Sequence, residues 1–353
     1  MAKLNVGILY GGQSTEHEVS MRSAESVLEA LDKDKYNVKL VHISKRGEWL
    51  LSHQSDEIKS LERGSGATGL SVTPPKQLSS AEGGEAFDVI LPILHGTAGE
   101  DGSVQGLLEM ADIPYVGCNV RSSAVCMDKD MTKKLLKFEG IKVADWILFR
   151  HDEKESVNYE TVREKLGLPM FVKPVNQGSS VGVSKVTDEK SFYEAVELAF
   201  QFDTKVMVES AVEGREIEVS VLGNTNPVAS VPGEIVSNTE FYSYESKYID
   251  ESGAALEIPA KLDEETEENI RRTALDAFRI LDCEGMARVD VFLTENGEVI
   301  VNEINTLPGF TSISMYPKLL EASGIEYPEL LDRLIELSLE RHNRNRQLKT
   351  DIM

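Results

Sequence analysis

The chain has 353 residues, 41% of them hydrophobic, and a formal net charge of −23. That length exceeds one ordinary core and asks for two or three domains, while the acidity argues against a nucleic-acid partner, whose backbone needs a basic face. No apolar run approaches the roughly 18 residues of a membrane span, and strand-like sequence begins at once after Met1, so a protein without membrane or secretory segments, placed in the cytoplasm, is expected.

The first third alternates strands and helices. Leu4 to Tyr10 reads as a buried strand, and Met21, Ala24, Leu28 and Leu31 recur at helical spacing. Val38 to Ile43 and Phe87 to Leu94 read as further strands, and Val104, Leu107, Leu108 and Ala111 mark another helix. This βαβ pattern predicts a doubly wound parallel sheet. Ser52 to Glu85, rich in Gly, Ser and Pro, reads as a surface insertion. A second unit is expected from about Asn119 to Val212, with a helix over 131–139 that stops at Gly140. Its strands fall near 143–149, 169–175, 181–186 and 205–209, around a helix near 189–202. The third unit has strands near 215–222 and 227–236, a helix over 264–281, a hairpin over 286–305 and a helix near 328–340. The polar tail after Arg341 is expected to fray. Cys118, Cys126 and Cys283 lack metal-ligand spacing and read as buried, reduced thiols.

The hairpin carries the strongest chemical signal. Asn296-Gly297 between two β-rich runs predicts a two-residue turn with Glu295 opposite Glu298. That register sets Asp290 opposite Glu303 and Arg288 opposite Asn305, all on one face with Phe292 and Val301. Val289, Val291, Leu293, Ile300 and Ile304 then face a core. Opposed carboxylates with Cβ atoms about 5 Å apart repel, so something positive must lie between them. Two carboxylates and an amide oxygen are hard ligands, suited to Mg²⁺ or Mn²⁺ completed by phosphate oxygens. A solvated acidic face balanced by Arg288 is the bland alternative.

The glycine-rich stretches are unequal. Gly64 to Gly69 matches G-x-G-x-x-G, but it follows a charged stretch rather than a strand and Pro74-Pro75 denies it a helix. It reads as a flexible loop, and with no Gly-Lys pair in the chain a P-loop is excluded. Tyr10 to Ser14 and His95 to Gly102 each end a predicted strand and could line one cleft at the carboxyl ends of the sheet. Glu16 in the first and His95 in the second also have ordinary structural readings, as a helix-start charge and a buried imidazole. Lys173 ends a strand, and the small-residue loop Asn176 to Gly182 follows, offering N–H groups and hydroxyls, Ser179 and Ser180 among them, to phosphates.

Together these stretches resemble the ATP-grasp superfamily, and closely the D-alanine–D-alanine ligases, over nearly the whole chain. The resemblance rests on Gly11-Gly12-Gln13-Ser14 through Ser20, His95 to Gly106, Met127-Asp128-Lys129, Gly285 to Asp290 and Glu303 to Gly309. It implies a mixed α/β, three-domain ATP-grasp architecture with units at 1–118, 119–212 and 213–353. It also implies ATP-dependent ligation of two D-alanines for peptidoglycan precursor synthesis, with Mg²⁺ or Mn²⁺, two ions expected, and a homodimer. By the same resemblance Lys129 and Lys173 contact ATP phosphates, Glu209 the adenine amino group and Glu216 the ribose, with Ser180 in the phosphate loop. Asp290, Glu303 and Asn305 resemble the metal ligands. Glu16 resembles the holder of the first substrate's ammonium, Arg288 and the Gly309 N–H the oxyanion stabilisers, and Ser314 the receiver of the second substrate's carboxylate. The aromatic stretch Glu240 to Tyr248 resembles the family's lid, with Lys247 reaching ATP and Tyr248 joining Ser179 and Glu16 in a triad. Relatives that make D-alanyl-D-lactate often carry phenylalanine at the position of Tyr248, so the tyrosine favours D-alanine as second substrate over D-lactate or D-serine. A different carboxylate–amine pair, or a nucleotide-binding regulatory module without turnover, remains as the alternative.

Overall fold

The computed structural model describes residues 3–52, 67–73, 77–80, 83–237 and 254–349. Three sheets organise it. In the first, β1 (Leu4–Gly11) lies between β2 (Tyr36–Ile43) and β7 (Val89–Ile93), parallel to both. These are near-continuous apolar runs, as strands buried on both faces require. The helix His17–Ala30 packs on β1 through Met21, Ala24, Val27 and Leu28. Four antiparallel strands then extend the sheet beyond β2: β3 (Trp49–Ser52), β4 (Ala67–Thr73), β5 (Gln77–Ser80) and β6 (Gly83–Ala86). The stretch read as a surface insertion is therefore partly sheet. Its glycines and serines hide strand character because hairpin pairing, not apolar alternation, holds them. Of the Gly64–Gly69 loop, Ala67 to Gly69 begin β4, and the rest lies outside the described residues.

The second sheet, order β10-β9-β11-β8, joins β8 (Trp146–Arg150), β9 (Met170–Pro174), β10 (Ser184–Val186) and β11 (Lys205–Ser210), all antiparallel. The helix Glu189–Ala199 buries Phe192, Ala195, Val196 and Ala199 against it.

The third sheet runs β15-β14-β12-β16-β17, with β13 paired to β12. Its strands are β12 (Arg215–Gly223), β13 (Val228–Ala229), β14 (Gly233–Ser237), β15 (Ala254–Glu257), β16 (Gly285–Leu293) and β17 (Val299–Asn305). One face packs under the helix Glu264–Ile280 through Ile217, Val219, Val289, Val291 and Val301. Asp290 lies opposite Glu303 and Arg288 opposite Asn305, as the hairpin reading expects. The route to that register differs. The turn has three residues, not two: Thr294 N–H donates to the Glu298 carbonyl (3.0 Å) and Gly297 takes a φ of +76°. A bulge between Asp290 and Val291 takes up the extra residue, so Val291 pairs with Val301 and Phe292 with Ile300. Val301 is consequently in the core and Ile300 half-buried beside Phe292, the reverse of the alternation argument.

The helix Tyr327–Arg346 joins the first and third sheets: Leu330, Leu331, Leu334 and Ile335 share one core with Val6, Ile8, Leu91, Leu222 and Met286. Among the described residues the expected fraying after Arg341 does not occur, the helix running on to Arg346. Arg341 is buried and donates to the Tyr115 (2.7 Å) and Gly117 carbonyls, and Arg344 pairs with Glu284. Among the described residues no helix is long and apolar enough to cross a membrane.

Candidate active site

Alternation along β12, β16 and β17 sends Val and Ile inward and polar side chains to the opposite face. On that face Glu218 lies opposite Asp290, which lies opposite Glu303; in the neighbouring row Ser220 lies opposite Arg288 and Arg288 opposite Asn305. Three carboxylates thus cross the sheet in line. The chain supplies its own counter-charges. Arg288 donates through Nε and Nη2 to both oxygens of Asp290, 2.7 Å each, and its Nε lies 3.0 Å from Glu218 Oε2. Burial works against the guanidinium charge, but Asp290 and Glu218 outweigh it and hold Arg288 well above its ordinary pKa. Lys129 reaches from the helix Lys129–Phe138, with Nζ 3.4 Å from Glu303 Oε2 while donating to the Gln177 carbonyl (2.8 Å). Each of the two opposed carboxylates thus has its own cation, Arg288 at Asp290 and Lys129 at Glu303.

Asn305 donates its Nδ2 to Asp290 Oδ2 (3.0 Å), which leaves Oδ1 as the atom for a hard cation. The donor set of Asp290, Glu303 and Asn305 fits Mg²⁺ or Mn²⁺. Among the described residues no three His, Cys, Asp or Glu converge on a metal position, so such an ion would need further oxygens from a bound phosphate or water. Glu218 is a site residue that sequence reading missed. Period-two spacing puts it on the face of Glu216, but only the β12–β16 pairing reveals its opposition to Asp290.

The second sheet contributes Lys173 from β9 and Glu209 from β11, and their side chains form an ion pair. A second lysine, Lys133, also contacts Glu209 and is wholly buried. Burial pushes the Glu209 carboxyl up, yet Lys173 and Lys133 hold it below the usual carboxylate range. Glu216 stands two residues before Glu218 on β12.

The first sheet reaches the same place through its loops. Glu16, 7% exposed, accepts a hydrogen bond from the Ser179 hydroxyl. Ser179 and Ser180 both adopt left-handed backbone, φ +52° and +58°, a conformation that serine holds only at some cost. A Cβ on Gly178 would stand 3.2 Å from Glu16 Oε2, so the loop sits directly on that carboxylate. His95 is buried rather than presented to the site. Its Nδ1 lies 3.2 Å from the Leu307 carbonyl and 3.7 Å from Glu100, and its Nε2 3.2 Å from Ser23 Oγ. Burial alone would lower its pKa, but Glu100 and Glu16 raise it. These contacts make His95 a clamp on the segment after β17. In that segment Ser314 stands at the start of the helix Met315–Ala322 without bonding its N–H groups, and its Oγ instead accepts from the Thr311 N–H (3.0 Å). A Cβ on Gly309 would stand 2.7 Å from the same Oγ, so a side chain there would have to displace the Ser314 hydroxyl. Lys247 and Tyr248 lie outside the described residues.

A cavity of about 20 Å³ is lined by Glu100, Lys129, Gly178, Glu303 and Asn305 among others. A larger one of about 210 Å³ opens at the carboxyl ends of β1 and β7, lined by Gly12, Leu94, Gly99 and Leu107 among others. The smaller lies where Glu303 and Lys129 meet.

Two family models cover most of the chain: one described as the D-ala D-ala ligase N-terminus matches residues 5–118, and one for its C-terminus residues 135–336. A D-alanine–D-alanine ligase from Oceanobacillus iheyensis is 53% identical over 99% of this chain and 98% of that protein. The solved D-alanine-D-alanine ligase of Coxiella burnetii is 42% identical with a TM-score of 0.89, covering 98% of this chain and 97% of the other. The D-Ala:D-Ser ligase VanG of Enterococcus faecalis is 36% identical with a TM-score of 0.87, covering 96% and 100%.

Proposed function

The chain belongs to the D-alanine–D-alanine ligase family, and on that premise we propose that it spends ATP to join two D-alanines in the cytoplasm, for peptidoglycan precursors. The observation that carries the reading is the convergence of three sheets on one point. Glu16 meets Ser179, Lys129 meets Glu303, and Arg288 meets Asp290.

A carboxylate resists an amine because oxide cannot leave. Transfer of the γ-phosphoryl group of ATP to the first D-alanine gives an acyl phosphate and ADP, and the phosphate can then depart. The protein's part is positioning and charge. Lys129 and Lys173 turn from Glu303 and Glu209 to the phosphates, with the Ser180 loop beside them. Glu209 accepts from the adenine 6-amino group and Glu216 from the ribose. Glu16 holds the first ammonium. The second D-alanine docks its carboxylate at Ser314, at a helix N-terminus that favours an anion. Its neutral amine attacks the acyl carbon and loses a proton through Ser179 and Tyr248. Arg288 and the Gly309 N–H stabilise the oxyanion, and His95 fixes the segment that carries Gly309. Asp290, Glu303 and Asn305 would hold Mg²⁺ or Mn²⁺, two ions being expected, which neutralises charge on the phosphate oxygens. Acyl phosphates hydrolyse, so Lys247 and Tyr248 are assigned to a lid that excludes water.

The units are taken as 1–118, 119–212 and 213–353, one sheet each, and the protein as a homodimer, which light scattering tests. ADP formation dependent on D-alanine is the deciding assay for the reaction, with wild type beside Glu303→Ala. Equal rates would end the metal-site reading. The likeness to VanG keeps D-serine as an alternative second substrate, so D-serine and D-lactate belong in the same assay. A Tyr248→Phe variant with an unchanged dipeptide-to-depsipeptide ratio would remove the role given to Tyr248.

A further inference from the structure

Lys133 has no part in the mechanism above, yet its side chain is 0% exposed. An ammonium is costly to bury unless it is paired. Lys133 Nζ contacts Glu209 Oε1, Lys173 Nζ contacts Glu209 Oε2, and the Trp146 ring centre lies 6.0 Å from Lys133 Nζ. One carboxylate therefore carries two lysines in a dry site, one more than neutrality needs. The two differ in what they can do. Lys173 stands one residue before the end of β9, near the loop of Ser179 and Ser180, and is assigned to the phosphates. Lys133 sits behind it in the helix Lys129–Phe138, with no exposed surface from which to meet a ligand.

We propose that Lys133 determines nucleotide specificity, by keeping Glu209 a carboxylate so that the base site takes a 6-aminopurine and refuses a 6-oxopurine. The inference rests on the reading of Glu209 as the adenine partner. An ionised carboxylate only accepts hydrogen bonds, whereas a protonated one also donates. Facing a 6-amino group, the ionised form is matched. Facing a 6-oxo group it sets acceptor against acceptor in a buried place, a mismatch that sites of this kind reject strongly. When Lys173 turns to the phosphates, burial would favour the neutral carboxyl unless a second cation remained. Lys133 is that cation: burial and the neighbouring Lys173 pull its pKa below the ordinary lysine value, Glu209 and Glu303 push it back up, and the departure of Lys173 to the phosphates removes one of the two opposing influences.

The test compares kcat/KM for ATP and for inosine triphosphate, which differs at the 6-position, in wild type, Lys133→Met and Glu209→Gln. Lys133→Met is expected to lower the ATP-to-ITP ratio by about tenfold or more, and Glu209→Gln, whose amide both donates and accepts, to lower it too. A purely structural Lys133 would depress both nucleotides alike and leave the ratio fixed. A fixed ratio in Lys133→Met with a relaxed one in Glu209→Gln overturns the role of Lys133 and leaves Glu209 as the adenine partner. Fixed ratios in both overturn the Glu209 reading itself. Relaxation in Lys133→Met alone also overturns the proposal, because Lys133 would then act without Glu209. If Lys133→Met does not fold, Lys133→Gln, which keeps a donor but no charge, is read by the same outcomes.

Discussion

Asp130 illustrates how much a buried carboxylate depends on its neighbours. It is 1% exposed and accepts from Trp146 Nε1 (2.9 Å) and Lys134 Nζ (2.8 Å). Burial would raise its pKa, but those bonds bring it below the ordinary 3.8. Its contribution is therefore full above the unfolded value and fades as the pH falls through the lower folded one. Asp130→Asn is expected to cost about 1.5–3 kcal/mol at pH 7 in denaturant melts. The gap to wild type should narrow below the ordinary 3.8. Legibility at this scale follows from where partners lie. Lys129 and Lys173 stand out in the sequence because each adjoins a loop or a strand end. Lys133 does not: Lys133 and Lys134 are adjacent on one helix, yet one is wholly buried and the other 54% exposed. Its partner Glu209 stands on a distant strand, and no local pattern signals the pair.

The hairpin shows an element whose outcome was more legible than its cause. A two-residue turn without a bulge and a three-residue turn with one bulge give the same opposition of Asp290 to Glu303. The sequence reading reached the right partners because two departures cancel, and it erred from the turn to the bulge: Glu298 faces Thr294 rather than Glu295, and Ile300 and Val301 exchange faces. Asn302 and Glu303, half-buried in succession, are where alternation breaks. The bulge leaves no mark in Val-Ile-Val-Asn-Glu, since Val-Ile-Val suits a strand in either register. The helix Val120–Met127 escaped notice because it buries Ser122 and Ser123 beside Cys126 and Met127, a face that apolar periodicity does not mark. Gly297, at φ +76° with nothing within 4 Å of a built Cβ, isolates the turn's contribution. Gly297→Val should destabilise by about 1–2 kcal/mol through backbone strain alone, with D-alanine-dependent ADP formation unchanged once folded. A large loss of activity would mean that the turn reaches the carboxylates.

Across the whole molecule, Arg341 ties the last helix to the chain segment leaving the first sheet. Its guanidinium lies 4.5 Å from the Tyr115 ring and binds the Tyr115 and Gly117 carbonyls. Arg341→Met should cost about 2–4 kcal/mol in chemical denaturation, since it strands two buried acceptors; a loss under 1 kcal/mol would show the junction to be held by the apolar core alone. The pairing of Lys129 with Glu303 and of Lys173 with Glu209 has a consequence for how ligands arrive. Each lysine that swings to a phosphate strips a carboxylate of its partner. If the proposed roles hold, nucleotide alone would leave Glu303 without its lysine, and metal alone would compete with that lysine for Glu303. Taken together, each ligand removes the other's obstacle. Binding should then be reciprocal: Mg²⁺ tightens ATP by the same factor by which ATP tightens Mg²⁺, a coupling of about 1–3 kcal/mol that Lys129→Met should weaken in calorimetric titrations of either ligand.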